Sequence, residues 1–322
     1  MVYFEYRDKD ILLLKRLRLD GLLDADDTRD MGDTTQDTTE DGRHTRKTES
    51  VGDTESATTE SAALFHRNET GDMSGQDVNQ EINCTAEPAP PHSLPLVALA
   101  SAPSSGNTWV RHLLEQATGI STGSYYNDAR LARGGFLGET LKWNSGRTLV
   151  IKTHKSLKQS SAAIILLRNP FDRIISEYNR RTQGHVGVAN WGADMQNNQE
   201  WRETVKALTG QWIHFIKLWL NTFDKPIMMS RYEDVVNDPV GEVTRMLDFL
   251  HIPPTNRRLL CITRNLEGAF HRKNDVDKTL QYAAFTPDMR RNITSVIDQV
   301  SVLLEESGFK PPYHIEELEI RN

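Results

Sequence analysis

Three groups of polar residues have the types and spacing of a site that binds phosphate or sulfate. The first group follows a short apolar run, precedes a helical pattern and comprises Ser105, Gly106, Asn107 and Thr108. Glycine lets an anion approach the backbone, hydroxyl groups add donors, and the free N–H groups at a helix start attract negative charge. The segment lacks the lysine and the first glycine of the Walker A pattern GxxxxGK(S/T). It therefore predicts an anion-binding loop and disfavours a magnesium-dependent nucleotide triphosphatase.

The second and third groups lie at the ends of two other apolar runs. Arg168 ends one run and Ser176 follows within a helical pattern, so both can converge on one phosphate. Lys152 and His154 end another run, and strand alternation puts their side chains on one face. Ligands of open parallel sheets bind at strand ends. We therefore expect His154 to be a base beside the cation Lys152. A surface arginine, a helical serine and a structural histidine are the alternative interpretations.

The elements that must position these groups form an alternating pattern from Leu96 onward. Short apolar runs alternate with helical stretches, which is typical of an α/β protein with a parallel sheet covered by helices. Strands are predicted at residues 96–101, 148–153, 162–168 and within 225–234. Helices are predicted at residues 108–119, 170–181, 200–223, 238–252 and 286–308. In the third helix, large apolar residues at helical spacing predict a stripe that faces the core rather than a cofactor site: Trp201, Val205, Leu208, Trp212, Phe215 and Trp219.

Composition divides the chain into two parts. Residues 1–90 hold 21 acidic and 10 basic residues, whereas residues 91–322 hold 24 and 28. The first part is rich in Asp, Glu, Thr, Ser and Gly and has few large apolar residues, so we expect a disordered acidic segment. We expect the second part to fold as one domain. No run of about 18 apolar residues occurs, so no membrane span is expected. Residues 11–23 are too charged for a convincing signal peptide.

The cysteine count also limits the class of protein. Cys84 and Cys261 are the two cysteines, which excludes a disulfide scaffold and a cysteine-rich zinc module. The sequence leaves open whether they pair. Three N-glycosylation sequons begin at Asn68, Asn83 and Asn292, and they matter only in a secretory compartment. Neither a metal site nor a nucleic-acid partner is expected.

The three polar groups, in this order, resemble the sulfotransferases that use 3′-phosphoadenosine-5′-phosphosulfate (PAPS). The family's loop P-K/R-S-G-T/N-T-W matches residues 103–109, its R-N-P-x-D-x-x-x-S segment matches 168–176, and its K-T-H segment matches 152–154. Residues 231–239 resemble the family's Y-E-D segment, and 270–286 resemble its C-terminal R-K segment. The resemblance implies a P-loop-type sulfotransferase fold, in which helices flank a central parallel sheet.

The resemblance also implies a role for each matched residue. His154 is the general base that takes the proton of the acceptor hydroxyl, and Lys152 stabilises the charge that develops during transfer. The residues implied to bind PAPS are Ser104, Ser105, Gly106, Asn107 and Thr108 for the 5′-phosphosulfate, Trp109 and Tyr232 for the adenine, and Arg168, Ser176, Arg272 and Lys273 for the 3′-phosphate. No metal is required, because the helix N-terminus and the cations supply the positive field.

Position 104 departs from the family pattern. Relatives place Lys or Arg there, in contact with the phosphate near the departing bridge oxygen, whereas this chain has Ser104. Losing one preorganised electrostatic donor costs about 10²–10³ in rate. If Lys152 or Lys155 compensates, Ser104→Arg changes transfer little. The alternative to an active enzyme is a weak or inactive sulfotransferase-like protein that binds PAPS or a glycan. A magnesium-dependent kinase is a further alternative, which the missing Walker lysine disfavours.

The resemblance is more specific in three segments, which are similar to the WSC-domain-containing sulfotransferases: residues 115–139, 171–187 and 258–273. The members of that group are Golgi-type membrane enzymes thought to sulfate glycans, including sialic acid. The match implies a glycan or other hydroxyl acceptor in the Golgi or secretory lumen. Neither the membrane anchor nor the cysteine-rich module of that group is visible, and without them the expected location is cytoplasmic. The candidate acceptor contacts are Arg180, Arg181, Tyr125 and Tyr126. Arginines suit an acidic sugar carboxylate; solvated helix-end arginines and packed tyrosines are the alternatives.

Overall fold

The computed structural model describes residues 82–184, 186–270, 272 and 276–313. Several expectations lie outside these ranges: the character of residues 1–81, the sequon at Asn68 and the role of Lys273. No helix within the described ranges combines the length and apolar character needed to cross a bilayer.

The described chain contains five strands and nine helices, numbered here in chain order. The strands are β1 (Val97–Ser101), β2 (Gly123–Ser124), β3 (Ile151–Thr153), β4 (Ala162–Leu167) and β5 (Ile227–Arg231). The helices are α1 (Asn107–Thr118), α2 (Ala129–Arg133), α3 (Pro170–Gln183), α4 (Gln199–Thr222), α5 (Tyr232–Asn237), α6 (Pro239–Phe249), α7 (Asn256–Arg264), α8 (Lys278–Ala283) and α9 (Pro287–Glu306). Two short 3₁₀ helices span Leu137–Thr140 and Ala193–Asn197.

The strands form one parallel sheet in the order β2-β3-β1-β4-β5. The central strand β1 pairs on both sides, so that Leu99 lies opposite Lys152 of β3 and Ile164 of β4. All five residues of β1 are buried, as expected of a strand covered by helices on both faces. The predicted α/β class with a central parallel sheet is confirmed. The carboxyl ends of all strands therefore meet at one edge.

Each face of the sheet contributes side chains to a separate apolar core, because successive side chains of a strand point to opposite faces. Ala98 and Ala100 of β1 join the core that contains the α4 stripe and α9. Val97 and Leu99 join the core formed with α1 and α6. All six residues of the predicted stripe are buried: Trp201, Val205, Leu208, Trp212, Phe215 and Trp219. That prediction is confirmed.

Local sequence signals set the ends of the helices. Gly106 (φ 89°) precedes α1 and Gly119 (φ 73°) ends it, and both φ values favour glycine. Pro170 occupies the first turn of α3, where a missing N–H costs nothing, and the side chain of Asn169 accepts a hydrogen bond from the Phe171 amide. Thr286 caps α9, the helix that was predicted over residues 286–308. These ends agree with the predicted helices to within two residues.

The strands agree less well. The run predicted as a strand over 148–153 is a strand only at Ile151–Thr153, and the two-residue strand β2 was not predicted. Two residues are too few to show periodicity in a sequence. The pairing of Ser124 with Lys152 depends instead on long-range contact.

Residues 82–90 are held against the domain. Cys84 forms a disulfide with Cys261 of α7, a pairing that the sequence left open. Glu87 bridges Ile120, and the Ala89 amide donates to the carbonyl of Arg147. The ordered part of the chain thus extends upstream of residue 91, whereas the expected disorder of residues 1–81 stays a prediction.

Candidate active site

The loop between β1 and α1 lies at the carboxyl edge of the sheet. The Asn107 side chain ties it to the strand by donating to the carbonyl of Leu99 (2.9 Å) and to Ser101 Oγ (3.2 Å). A Cβ on Gly106 would overlap the ring of Tyr232, so glycine is required there for space as well as for φ. Among the described residues, Ser105 Oγ is buried and has no hydrogen-bond partner. A buried hydroxyl without a partner at a helix N-terminus suits an anionic ligand.

Aromatic and cationic groups flank one side of this loop. The rings of Trp109 and Tyr232 lie 5.7 Å apart, edge to face. The Arg168 guanidinium stands 4.4 Å from the centre of the Tyr232 ring, and its Nη1 donates to the carbonyl of Ser104 (2.9 Å). Trp109 Nε1 donates to the carbonyl of Leu266 (2.7 Å), which fixes the indole. The structure therefore brings these three predicted residues together around the loop.

The neighbouring turn of α3 provides a second cationic position. Arg272 Nη1 donates to Ser176 Oγ and to its carbonyl oxygen, each at 3.1 Å. Burial first, and then the charge of Arg168, lower the pKa of Arg272 to about 10. Its guanidinium remains charged at neutral pH. Arg168, Ser176 and Arg272, which come from three distant parts of the sequence, thus belong to one cluster.

A buried arginine supports the loop from below. Arg173 is fully buried, and it donates from Nη1 to the carbonyl of Pro103 (3.3 Å) and from Nη2 to that of Leu208 (2.5 Å). Burial lowers the pKa of Arg173 to about 10, so it stays charged. It adds fixed positive charge beneath the loop. Nothing in the sequence distinguished Arg173 from a solvated arginine on α3.

His154 follows β3 at the same edge of the sheet. Its Nδ1 lies 2.7 Å from the carbonyl oxygen of Ser101, and because a carbonyl can only accept, Nδ1 carries the proton. This leaves Nε2 as the unprotonated, basic nitrogen. The His154 amide donates to Tyr126 Oη (2.8 Å), and the two rings stack at 5.3 Å. Burial, followed by the charge of Lys152, lowers the pKa of His154 to about 4.

Lys152 precedes His154 by two residues on β3 and pairs with the backbone of Leu99. Burial first, and then the charge of Arg111, lower its pKa from 10.5 to about 8. At neutral pH the site therefore combines a mostly charged ammonium group with a neutral imidazole. Such a pair can accept a proton on the imidazole and stabilise negative charge at the ammonium.

A buried ion pair that no sequence pattern indicates acts on Lys152. Arg111 Nη1 lies 2.5 Å from Glu139 Oε1, and both side chains are completely buried. Arg111 also donates from Nε to Thr122 Oγ1 (2.8 Å), and Glu139 Oε2 accepts from the Asp128 amide (2.8 Å). The charges of Arg111 and Glu139 act on the pKa of Lys152 in opposite directions. No local signal marks the pair, since its members lie on separate elements.

The residue that departs from the family pattern, Ser104, contacts a carboxylate. Ser104 Oγ donates to Glu177 Oε2 at 2.7 Å, from a backbone with φ 63°. Arg180 and Arg181, in the last turn of α3, also bond Glu177. Burial alone would raise the pKa of Glu177, but hydrogen bonds from Arg180 and other groups outweigh it and lower that pKa to about 2. Glu177 is thus permanently charged, and no pattern in the sequence indicated its role.

Aromatic surface lies exposed next to His154. Tyr125 and Tyr126 follow β2, and each exposes 39% of its surface. Tyr125 packs on Trp143 with ring centres 5.6 Å apart, and Lys155 Nζ stands 6.0 Å from the Tyr125 ring centre. Both tyrosines were expected among the acceptor contacts, and in the structure Tyr126 contacts His154 directly.

The remaining candidates fall outside this region or carry no ligand chemistry. Within the described ranges, no three His, Cys, Asp or Glu side chains are grouped as they would be around a metal ion. Asn83 and Asn292 are exposed, the second within α9. Asn83 Oδ1 accepts hydrogen bonds from the amide and the hydroxyl of Thr85, so the asparagine and the threonine of this sequon bond to each other.

The chain is similar to several known proteins. Residues 94–295 match the family model described as the sulfotransferase domain. The chain is 37% identical over 207 residues to a WSCD family member of Drosophila melanogaster, CG9164, and 35% identical over 214 residues to one of Aedes aegypti, AAEL009094. These matches cover 62% and 65% of this chain and 64% and 66% of the relatives, so the chain spans less than two thirds of their length. A mouse sulfotransferase, SULT7A1, complexed with PAP is similar at 16% identity and a TM-score of 0.46, over 68% of this chain and 87% of that one. Because the domain model matches well over half of its residues, the chain belongs to the sulfotransferase family.

Proposed function

We propose that this protein transfers a sulfuryl group from PAPS to a hydroxyl group of a glycan. The observation that carries the proposal is His154, whose basic Nε2 is fixed by the Ser101 carbonyl at the edge of the sheet where the anion loop lies. A neutral imidazole in this tautomer can accept a hydroxyl proton without first losing one. Lys152 two residues earlier supplies positive charge where negative charge would develop.

The described residues fit the donor PAPS. Its 5′ group suits the start of α1, where Ser105 Oγ is buried without a partner among the described residues and Gly106 lets the ligand approach the backbone. Trp109 and Tyr232 offer aromatic faces for the adenine. The 3′-phosphate suits Arg168, Ser176 and Arg272, with Lys273 assigned by resemblance alone. When bound, PAPS supplies the activated sulfuryl group.

The chain's own residues would then act on proton and charge. His154 Nε2 would take the hydroxyl proton, and the Ser101 carbonyl would stabilise the resulting imidazolium through Nδ1–H. Lys152, Thr108 and the loop amides would hold the charge on the donor. Tyr126 would keep the imidazole in place through ring stacking and through its bond to the His154 amide. These roles follow from chemistry at named atoms and need no metal.

The acceptor side supports a sugar, including an acidic sugar such as sialic acid. Exposed aromatic faces suit the apolar face of a sugar ring, and Tyr125 and Tyr126 provide two of them next to His154. Arg181 is 44% exposed at the end of α3 and can meet a carboxylate. A non-catalytic protein that binds PAPS or a glycan is the alternative, favoured by the absence of a basic side chain at Ser104.

The test uses PAPS labelled with ³⁵S, a panel of neutral and sialylated glycans, and calorimetric binding of PAP, the desulfated product. We expect label transfer by the native protein, a loss of at least about 10²-fold in His154→Ala, and unchanged PAP affinity in that variant. Equal transfer by both proteins would refute the role of His154. PAP binding without transfer to any acceptor would favour the non-catalytic alternative.

We also propose a secretory location. Disulfides persist in oxidising compartments and are rare in the cytosol, and Cys84 and Cys261 form one in this structure. Thiol-alkylation of freshly lysed cells should leave both cysteines unmodified until a reductant is added. Complete alkylation before reduction would contradict a secretory location.

A further inference from the structure

A carboxylate lies directly against the anion loop. The Glu177 side chain is 1% exposed and accepts a hydrogen bond from Ser104 Oγ. Since its pKa is about 2, this carboxylate is charged at any pH at which the protein would work. A buried negative charge beside a loop for an anion opposes binding unless a cation neutralises it. The structure therefore has to provide that cation close to Ser104.

Two guanidinium groups perform this neutralisation. Arg180 forms a fork on Glu177, from Nε to Oε2 (2.8 Å) and from Nη2 to Oε1 (2.7 Å). Arg181 donates from Nε to Oε1 (2.9 Å). With Ser104 on Oε2, each carboxylate oxygen accepts two hydrogen bonds, which fixes the orientation of Glu177. Two positive charges on one negative charge leave the cluster with a net positive charge.

The two arginines are not equivalent with respect to the loop. Arg180 Nε and Ser104 Oγ bond the same oxygen, Oε2, so this guanidinium lies next to the loop residue. Arg181 bonds only the other oxygen. The charge of Arg180 also lowers the pKa values of Lys152, His154 and Arg272. Arg180 thus shares a carboxylate oxygen with the loop residue Ser104, whereas Arg181 does not.

We propose that Arg180 is the cation that contacts the 5′ end of the donor, in the place of a basic residue at position 104, and that Glu177 is its positioning residue. The inference rests on the proposed function, because it concerns the same donor. It reassigns Arg180 from the acceptor contacts to the donor site and leaves Arg181 with the acceptor. A short serine at position 104 suits this arrangement, because its hydroxyl completes the bonds on Glu177 that hold Arg180.

The first test measures PAP binding by calorimetry, because PAP keeps the 5′-phosphate without any turnover. A charge-assisted hydrogen bond is lost in Arg180→Ala, which should weaken PAP binding about 10- to 100-fold. Arg181→Ala is the matched control, with similar exposure and the same carboxylate, and it should change PAP affinity less than about threefold. Thermal unfolding of both variants checks that the domain is intact.

The second test restores the charge from the loop. Ser104→Lys combined with Arg180→Ala should bind PAP at least about tenfold more tightly than Arg180→Ala alone, because the new ammonium group replaces the lost guanidinium. The inference is overturned if Arg180→Ala binds PAP like Arg181→Ala, if it raises only the KM for the acceptor, or if the double variant regains nothing. If the native protein binds no PAP, the proposed function itself fails, and the inference fails with it.

Discussion

The ionisation of His154 gives the sharpest prediction from this structure. With its ordinary pKa of 6.5, about a quarter of the imidazole would be protonated at pH 7. With a pKa of about 4, the protonated fraction falls to about one in a thousand. Lowering the pH from 7 to 5.5 would cost an ordinary histidine about eightfold of its basic form and would cost His154 almost none. Activity that depends on His154 should therefore persist at mildly acidic pH.

NMR titration of the free protein provides the direct assay. The chain has 10 histidines, and the resonance missing from His154→Ala identifies the relevant one. We expect a pKa of about 4 and the tautomer with the proton on Nδ1, because Nδ1 donates to the Ser101 carbonyl. Removing the neighbouring positive charge in Lys152→Met should raise the pKa of His154, whereas the exposed Lys155→Met serves as the matched control. A titration near 6.5, or a proton on Nε2, would refute this account of the base.

The pH dependence of kcat/KM above neutrality and four further variants, one of them a control, test other parts of the structure. Because the pKa of Lys152 is about 8, kcat/KM should fall above that pH as the ammonium loses its charge, and Lys152→Ala should reduce transfer about 10²–10³-fold. Gly106→Ala places a Cβ against the Tyr232 ring at a φ of 89°, so it should destabilise the domain by more than about 1 kcal/mol and abolish PAP binding. The mid-helix, exposed Gly210→Ala is its control and should stabilise the domain by about 0.5–1 kcal/mol in thermal unfolding. The disulfide closes a loop of 177 residues, for which loop entropy sets an upper value of about 5 kcal/mol, so the double variant Cys84→Ser/Cys261→Ser should melt about 4–20 °C lower. A reductant should lower the melting temperature of the native protein but not that of the double variant.

Structural features that depend on residues close together in the chain were predictable from the sequence. Glycines at both ends of α1 and the proline that begins α3 marked those helices, because each acts through its own backbone geometry. The buried stripe of α4 was visible for the same reason, since its period belongs to one helix. The central parallel sheet followed from the alternation of such elements. The resemblance then assigned candidate roles to residues in the loop, although those roles stay predictions.

The rest depends on contacts between distant residues. No pattern in the sequence marks Glu177, yet its side chain contacts a loop 73 residues earlier. The bond between the His154 amide and Tyr126 and the pair of Arg111 with Glu139 likewise join separate elements. Sequence patterns report which face of an element is buried, but not which polar group lies opposite a given atom. The compensation for Ser104 that was expected from Lys152 or Lys155 stays a prediction, and the role inferred for Arg180 is the alternative to it.

The disulfide between Cys84 and Cys261 also constrains how the protein is made. Its two cysteines are 177 residues apart, so Cys84 leaves the ribosome long before its partner exists. At about 5–20 residues per second, Cys84 waits roughly 10–35 s as a thiol, next to the sequon asparagine Asn83. During that time all five strands of the sheet are synthesised, since β5 ends at Arg231. The disulfide can therefore form only after all five strands have been synthesised. A nascent chain that stalls before residue 261 carries an unpaired cysteine.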